Sequence, residues 1–189
     1  AQYINAGAVL RVTPIKDVKT MIQAFAFAKK SVPELKLWIM GPTDEDKAYA
    51  QECFELVKAL EVEDVEFTGR VNVKDYLGKM DFTLLTSISE GQPLTILESY
   101  AAHKPVIATD VGNCQELIYG NDDGFGPAGI LTHIMNIEEI AQAMITMSED
   151  QEERERMGEA GYKRVNAFYR IEQMKDVYRG IYRELSDRQ

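Results

Sequence analysis

The chain is poor in cysteine and histidine, with two of each among 189 residues, and it has one tryptophan and six prolines. Cys53 and Cys114 stand far apart with no CxxC, so no zinc pattern and no disulfide framework is present; both are expected as buried free thiols. No run of 18 apolar residues occurs, which leaves no candidate for a membrane-spanning helix. The opening AQYINAGAVL has no basic stretch ahead of its apolar residues, so it is not expected to be a signal peptide, and a cytoplasmic location is expected. Positive charge is also short: 21 Lys and Arg against 31 Asp and Glu give a net charge of −10. That balance argues against bulk nucleic-acid binding, which rests on cation–phosphate contacts. GxxxxGK[ST] does not occur, so P-loop chemistry has no support.

What remains is a globular composition, 45% hydrophobic and 28% charged. At about 150 residues per domain, the chain is one domain with room for an appendage. Short apolar runs alternate with helical periodicity. Strands are expected at 3–12, 35–40, 65–68, 82–85, 106–108 and 129–131, and helices from 18, at about 45–60 and at about 93–103. Strands of four to seven residues separated by helices indicate βαβ units, hence an α/β fold with a doubly wound parallel sheet covered on both faces. Beyond 135 only helical spacing appears. Ile137, Ile140, Ala141, Met144 and Ile145 share one face, and Ile171, Met174, Tyr178, Ile181, Tyr182 and Leu185 make a last stripe. The expected organisation is one domain over 1–189, a βα core at 1–134 followed by a C-terminal helical tail at 135–189.

In such a sheet, ligands bind beyond the carboxyl ends of the strands, which directs attention to the loops at 12–17, 41–45, 69–73, 87–93, 109–113 and 119–128. Gly124-Phe-Gly-Pro-Ala-Gly129 fits GxGxxG by letter. It comes late, contains Pro127 and leads into a strand, so it is expected to be a mobile surface loop and not a dinucleotide fingerprint. Arg11 and Lys16 are more informative. Lys16 precedes Asp17, the expected N-cap of the first helix, and a cation there opposes the helix dipole. Two cations converging on a helix start suit a bound anion such as a diphosphate, although two solvated charges with a Lys–Asp pair fit the spacing equally.

The segment Ser87-Ile-Ser-Glu90-Gly-Gln-Pro-Leu-Thr-Ile-Leu-Glu98 adds the complementary groups. Pro93 suits a first helical position, and Leu94 and Thr95 offer amide donors in the opening turn. Glu98 follows Leu94 by four residues and lies on the same helix face. Carboxylates do not bind phosphate, but they accept hydrogen bonds from hydroxyls. Two acids bracketing an anion-binding helix end therefore point to a phosphate centre flanked by hydroxyl-rich groups, as in a sugar nucleotide. Trp38 is expected in the core, Asn113 as an N-cap, and His103 in the last turn of its helix, while His133 has no evident partner.

Taken together, Arg11-x4-Lys16, Gly69-Arg70-Val71, Glu90-x7-Glu98, Pro105-Val-Ile-Ala-Thr-Asp-Val-Gly112 and Arg156-Met-Gly-Glu-Ala-Gly161 resemble the retaining glycosyltransferases of family 4. VTPIKDVKT with SEGQPLTILES is most similar to the Pel-type exopolysaccharide transferases, which use UDP-glucose. The resemblance runs from about Leu10 to Arg164. It implies the Rossmann-like C-terminal half of a GT-B fold, with the N-terminal acceptor domain absent from this chain. It also implies a UDP-sugar substrate, no cofactor and no metal. By the same resemblance Arg11 and Lys16 hold the diphosphate, Glu90 is the catalytic residue touching the transferred sugar, and Glu98 touches the ribose. Arg70 and Val71 meet the base, and the amides of Leu94 and Thr95 approach phosphate or sugar. Expected partners are a saccharide acceptor, the missing acceptor domain and membrane-bound polysaccharide synthase components. Leu10 and Pro93 stand where the family commonly has glycine, and Leu10 could crowd the diphosphate. The competing readings are a non-hydrolysing sugar-nucleotide epimerase and a non-catalytic scaffold module.

Overall fold

The computed structural model of the chain describes residues 2–168; the stripe from Ile171 to Leu185 lies outside them. The elements are β1 (Ile4–Val9), α1 (Val18–Ser31), β2 (Leu35–Met40), α2 (Lys47–Ala59), β3 (Val65–Gly69), α3 (Val73–Leu77) and β4 (Phe82–Leu85). They continue with α4 (Leu94–Ala101), β5 (Val106–Thr109), α5 (Cys114–Tyr119), β6 (Gly129–Thr132), α6 (Ile137–Glu149) and α7 (Gln151–Phe168). The six strands form one parallel sheet in the order β3-β2-β1-β4-β5-β6. This is the doubly wound, Rossmann-like arrangement, and its order reverses between β1 and β4.

Each face of the sheet has its own apolar layer. On one side α1, α2 and α6 bury Met21, Ile22, Phe25, Cys53, Ile140 and Met144 against Leu37, Ile39 and Phe82. On the other, α4, α5 and α7 bury Leu97, Tyr100, Cys114, Ile118 and Ala160 against Val106 and Ala108. Helix α1 illustrates how the sequence specifies this. Asp17 sits at φ 48°, and its carboxylate accepts the Thr20 amide, which caps the helix. Val18, Met21, Ile22, Phe25 and Ala28 then fall on one buried stripe. Full burial of a side chain as large as Phe25 contributes about 1.5–3 kcal/mol. Both thiols are free and buried, as expected.

Several local expectations change. The first strand stops at Val9 instead of reaching 12; Leu10 and Val12 still donate to Met40 O and Pro42 O, but Arg11 lies beyond the strand end. Trp38 is half-buried and outside the core. Its side chain leaves β2 on the face opposite Leu37 and Ile39, where Tyr76 of the short α3 meets it edge to face. Its indole N–H donates to Asn5 Oδ1 at 2.9 Å and the Lys36 ammonium lies over the ring. Asn113 occupies the N-cap position of α5 but makes no capping bond, and its Oδ1 is buried without a partner. His103 falls beyond the end of α4 in a left-handed conformation, stacked on Tyr162 and bonded to Glu159.

The loop expected to be mobile, the GxGxxG run and its approach, is instead pinned. Arg164 on α7 makes a two-pronged pair with Asp123, at 2.6 and 3.0 Å, and both side chains are 3% exposed. The same guanidinium donates to Leu117 O, Ile118 O and Gly126 O, closing the carboxyl end of α5. The Arg164 hydrogen bonds hold the Asp123 carboxyl below its usual range. Replacing Arg164 by Met leaves the buried Asp123 carboxylate with the Phe125 amide in place of a guanidinium and takes a donor from Gly126 O, while Leu117 O and Ile118 O keep the Tyr100 hydroxyl and the Ala128 amide. It is therefore expected to destabilise the fold by about 3–5 kcal/mol, read as a lowered denaturant midpoint with an unchanged m-value.

Candidate functional site

The reversal between β1 and β4 makes the loops that follow these two strands diverge, and a cleft of about 420 Å³ opens between them. Its walls include Leu10, Arg11 and Lys16 after β1, Gly41 and Pro42 after β2, and Arg70 and Val71 after β3. Glu90, Gln92, Pro93, Leu94 and Thr95 complete it on the β4–α4 side. Seven of the eight candidate residues thus line one hollow. The eighth, Glu98, is buried one turn further along α4. A second depression of about 490 Å³, between α1, the turn after α2 and the start of α6, is lined by none of them.

The loops are fixed to one another by named bonds. Ile88 N donates to Ile15 O at 3.0 Å. The Thr86 hydroxyl lies 3.2 and 3.1 Å from the carbonyls of Lys16 and Asp17. Two glycines permit close backbone approach: a Cβ at Gly112 (φ +52°) would stand 2.2 Å from Gly91 O, and one at Gly41 would stand 1.7 Å from Leu10 O. The β5–α5 turn therefore presses directly on the loop carrying Glu90. Leu10 packs partly into the core as well as forming cleft wall. Pro93 takes the N-cap position of α4, one place earlier than expected, with its carbonyl accepting Ile96 N. Leu94 and Thr95 consequently supply the first two amides of the helix, and the dipole there favours an anion.

Each cation of the cleft is held by a carboxylate of the chain itself. Lys16 Nζ donates to Glu90 Oε1 at 2.6 Å, and Ser87 Oγ donates to the same oxygen at 2.8 Å. Arg11 reaches Glu45 at 3.5 Å, and Arg70 reaches Asp44 at 3.4 Å. The sequence reading missed these partners. Asp44 and Glu45 lie at the edge of a loop that strand-end reasoning had flagged, but nothing in their spacing joins them to Arg70 or Arg11. Ser87 carries a weak signal, standing three residues before Glu90 in the same loop.

Glu98 differs from the other acids. It is 3% exposed, and Oε1 has no hydrogen-bond partner. Burial pushes its carboxyl from 4.5 up to about 7, with the Lys74 ammonium pulling the other way. Among the described residues no group of three or more His, Cys, Asp and Glu side chains is arranged to hold a metal ion. Nor is any helix long and apolar enough to cross a membrane. His133 pairs with Glu139, and neither histidine lines the cleft.

Comparison with known proteins gives this geometry its context. The family described as "Glycosyl transferases group 1" matches residues 5–164. The chain belongs to this family. N-acetyl-alpha-D-glucosaminyl L-malate synthase of Bacillus anthracis is 33% identical over 170 residues, spanning 89% of this chain and 42% of that enzyme. Poly(glycerol-phosphate) alpha-glucosyltransferase of Bacillus subtilis is 25% identical over 88% of the chain and 24% of its own length. The chain thus spans less than half of these glycosyltransferases. Among solved structures, Anabaena Alr3699/HepE in complex with UDP and glucose superposes with a TM-score of 0.78, at 24% identity, over 98% of this chain and 49% of that one. The C-terminal domain of the group 1 protein LpcC from Francisella tularensis superposes with the same TM-score at 25% identity, covering 89% of this chain and 87% of that domain. The fold of this group 1 domain is therefore that of GT-B glycosyltransferases.

The Glu98 carboxyl gives the domain a pH signature. The folded state holds this proton more tightly than the unfolded chain, so the Glu98 contribution to stability is fully present below 4.5 and is lost as pH rises from 4.5 through about 7. Glu98→Gln, neutral throughout, should remove that fall. Between pH 5 and pH 9 the wild type is expected to lose about 2 kcal/mol relative to the variant, measured by urea unfolding at both pH values.

Proposed function

We propose that this domain binds the donor in a retaining glycosyltransferase of family 4 that transfers a hexose from a UDP-sugar, UDP-glucose above all, to a saccharide acceptor. The observation that carries the reading is the convergence of Arg11, Lys16 and the opening amides of α4 on one cleft that also holds the Glu90 carboxylate. In this reading Arg11, Lys16 and the amides of Leu94 and Thr95 take the diphosphate, exchanging the chain's own acids for the ligand's oxygens. Glu90, released from Lys16, accepts hydroxyls of the transferred sugar. Glu98 accepts from the ribose, and Arg70 and Val71 border the base. As the bond between sugar and diphosphate breaks, negative charge grows on the departing nucleotide, and two cations and a helix end are already aimed at it. The residues supply that stabilisation without a metal.

The wording of VTPIKDVKT and SEGQPLTILES supports a place in Pel-type exopolysaccharide synthesis, in the cytoplasm and beside membrane-bound synthase components. An acceptor domain preceding this chain would close the cleft and carry the acceptor. The epimerase reading, which calls for histidines beside the catalytic acids, loses ground because His103 and His133 are engaged with Glu159 and Glu139 outside the cleft.

Titration of the 189-residue domain with UDP and UDP-glucose, followed by NMR, tests the proposal. Both ligands should shift resonances of Lys16, Glu90, Leu94 and Thr95. Arg11→Ala with Lys16→Ala should weaken both about tenfold or more, since each substitution removes a charge-assisted hydrogen bond. Absence of binding at millimolar nucleotide, or binding indifferent to the double substitution, overturns it.

A further inference from the structure

Ser87 is 1% exposed although it stands at the lip of the cleft, immediately after β4 and Thr86. Its backbone is held by the Thr109 hydroxyl, which donates to Ser87 O at 2.7 Å. Its own hydroxyl carries one hydrogen, and that hydrogen is directed at Glu90 Oε1, 2.8 Å away. A buried side chain has thus been placed to serve one oxygen of one carboxylate. We propose that Ser87 is a positioning residue that fixes Glu90 for the hydroxyls of the transferred sugar; this rests on the nucleotide-sugar reading above.

The geometry assigns Ser87 a role that Lys16 cannot fill. Without ligand, Lys16 and Ser87 both donate to Oε1, which leaves Oε2 as the acceptor for a ligand hydroxyl. A diphosphate entering the cleft draws the Lys16 ammonium to itself, because a dianion at a helix start outcompetes a single carboxylate. Ser87 is then the donor still holding Glu90, and it is neutral, so the anion does not attract it away. Its contribution is greatest when diphosphate and sugar are bound together, and small when the nucleotide binds without its sugar. The neighbouring hydroxyl provides the contrast. Thr86 directs its hydroxyl at the carbonyls of Lys16 and Asp17 and not at Glu90, so it acts on the diphosphate side of the site.

The test measures dissociation constants of UDP and UDP-glucose for wild type, Ser87→Ala and Thr86→Val by NMR titration of the domain, with thermal melting to verify folding. Ser87→Ala should weaken UDP-glucose about three- to tenfold, the range for one hydrogen bond lost, while UDP stays within about twofold of wild type. Thr86→Val should weaken the two ligands by the same factor. An unchanged ratio of the two constants in Ser87→Ala overturns the proposal. So does an equal change of that ratio in Thr86→Val, which would mark it as a symptom of general loosening. If wild type binds neither ligand, the nucleotide-sugar reading fails and this assignment with it; if wild type binds both and only the ratio fails to move, the reading stands and the role of Ser87 does not.

Discussion

A parallel strand and its neighbour can hand their chains to opposite faces of a sheet at only one kind of place, and here that place is the boundary between β1 and β4. The chain leaving β1 turns into α1 on one face, and the chain leaving β4 turns into α4 on the other. The cleft between them follows from connectivity before any side chain is chosen. What the side chains add is rigidity across the gap. The Ile88 amide on the Ile15 carbonyl and the Thr86 hydroxyl on the Lys16 loop tie the two diverging segments together. Gly112 then lets the next loop press on the one that follows β4. A cation and a carboxylate 74 residues apart are thereby held within 2.6 Å.

That juxtaposition bears on how so acidic a chain can receive an anion. The global charge of −10 works against it, but field and binding are local matters. Within the cleft the cations are already desolvated on one side and neutralised by Glu90, Glu45 and Asp44. Half-exposed pairs such as Arg70 with Asp44 are worth no more than about 1 kcal/mol, so giving them up costs little. On the nucleotide-sugar reading, a diphosphate that replaces them would bring more oxygens and would also meet the opening amides of α4. The exchange frees the acids near hydroxyl-bearing parts of the ligand, where acceptors are wanted. In the described structure each cation of the cleft carries a carboxylate partner.

How much of this could be read beforehand depends on the range of the interaction. Strand and helix periodicity are local, so the parallel sheet, the α1 stripe and the helical character between 137 and 168 were all legible. The convergence of Arg11, Lys16 and Glu90 was legible too, because strand carboxyl ends in a doubly wound sheet share one edge. Partnerships set by loop packing were not. Asp44 and Glu45 find their arginines through a chain reversal that spacing does not encode. The GxGxxG run at Gly124–Gly129 read as a mobile surface loop, yet Arg164, some forty residues later, holds it through Gly126 O and through Asp123 just before it. Trp38 read as core because its neighbours in the strand are apolar. It lies outside because β2 has two unequal faces and only one is covered by long helices.

Glu98 shows why a buried polar group can be informative without a visible partner. Side chains on a helix lean toward its amino terminus, so a carboxyl one turn below Leu94 is aimed back toward the turn that opens on the cleft. If the residue served only to fill space, leucine would do so without a carboxyl driven up to about 7 or an oxygen left unbonded. Most buried polar atoms in folded proteins find a partner, and each exception costs about 1–3 kcal/mol. On the nucleotide-sugar reading the missing donor is a ribose hydroxyl. Its arrival satisfies Oε1, favours the ionised carboxylate and lowers the same pKa that burial raises. The cost carried by the empty domain then becomes binding free energy available only to a ligand with a hydroxyl at that position, which links the pH behaviour of the fold to the selectivity of the site.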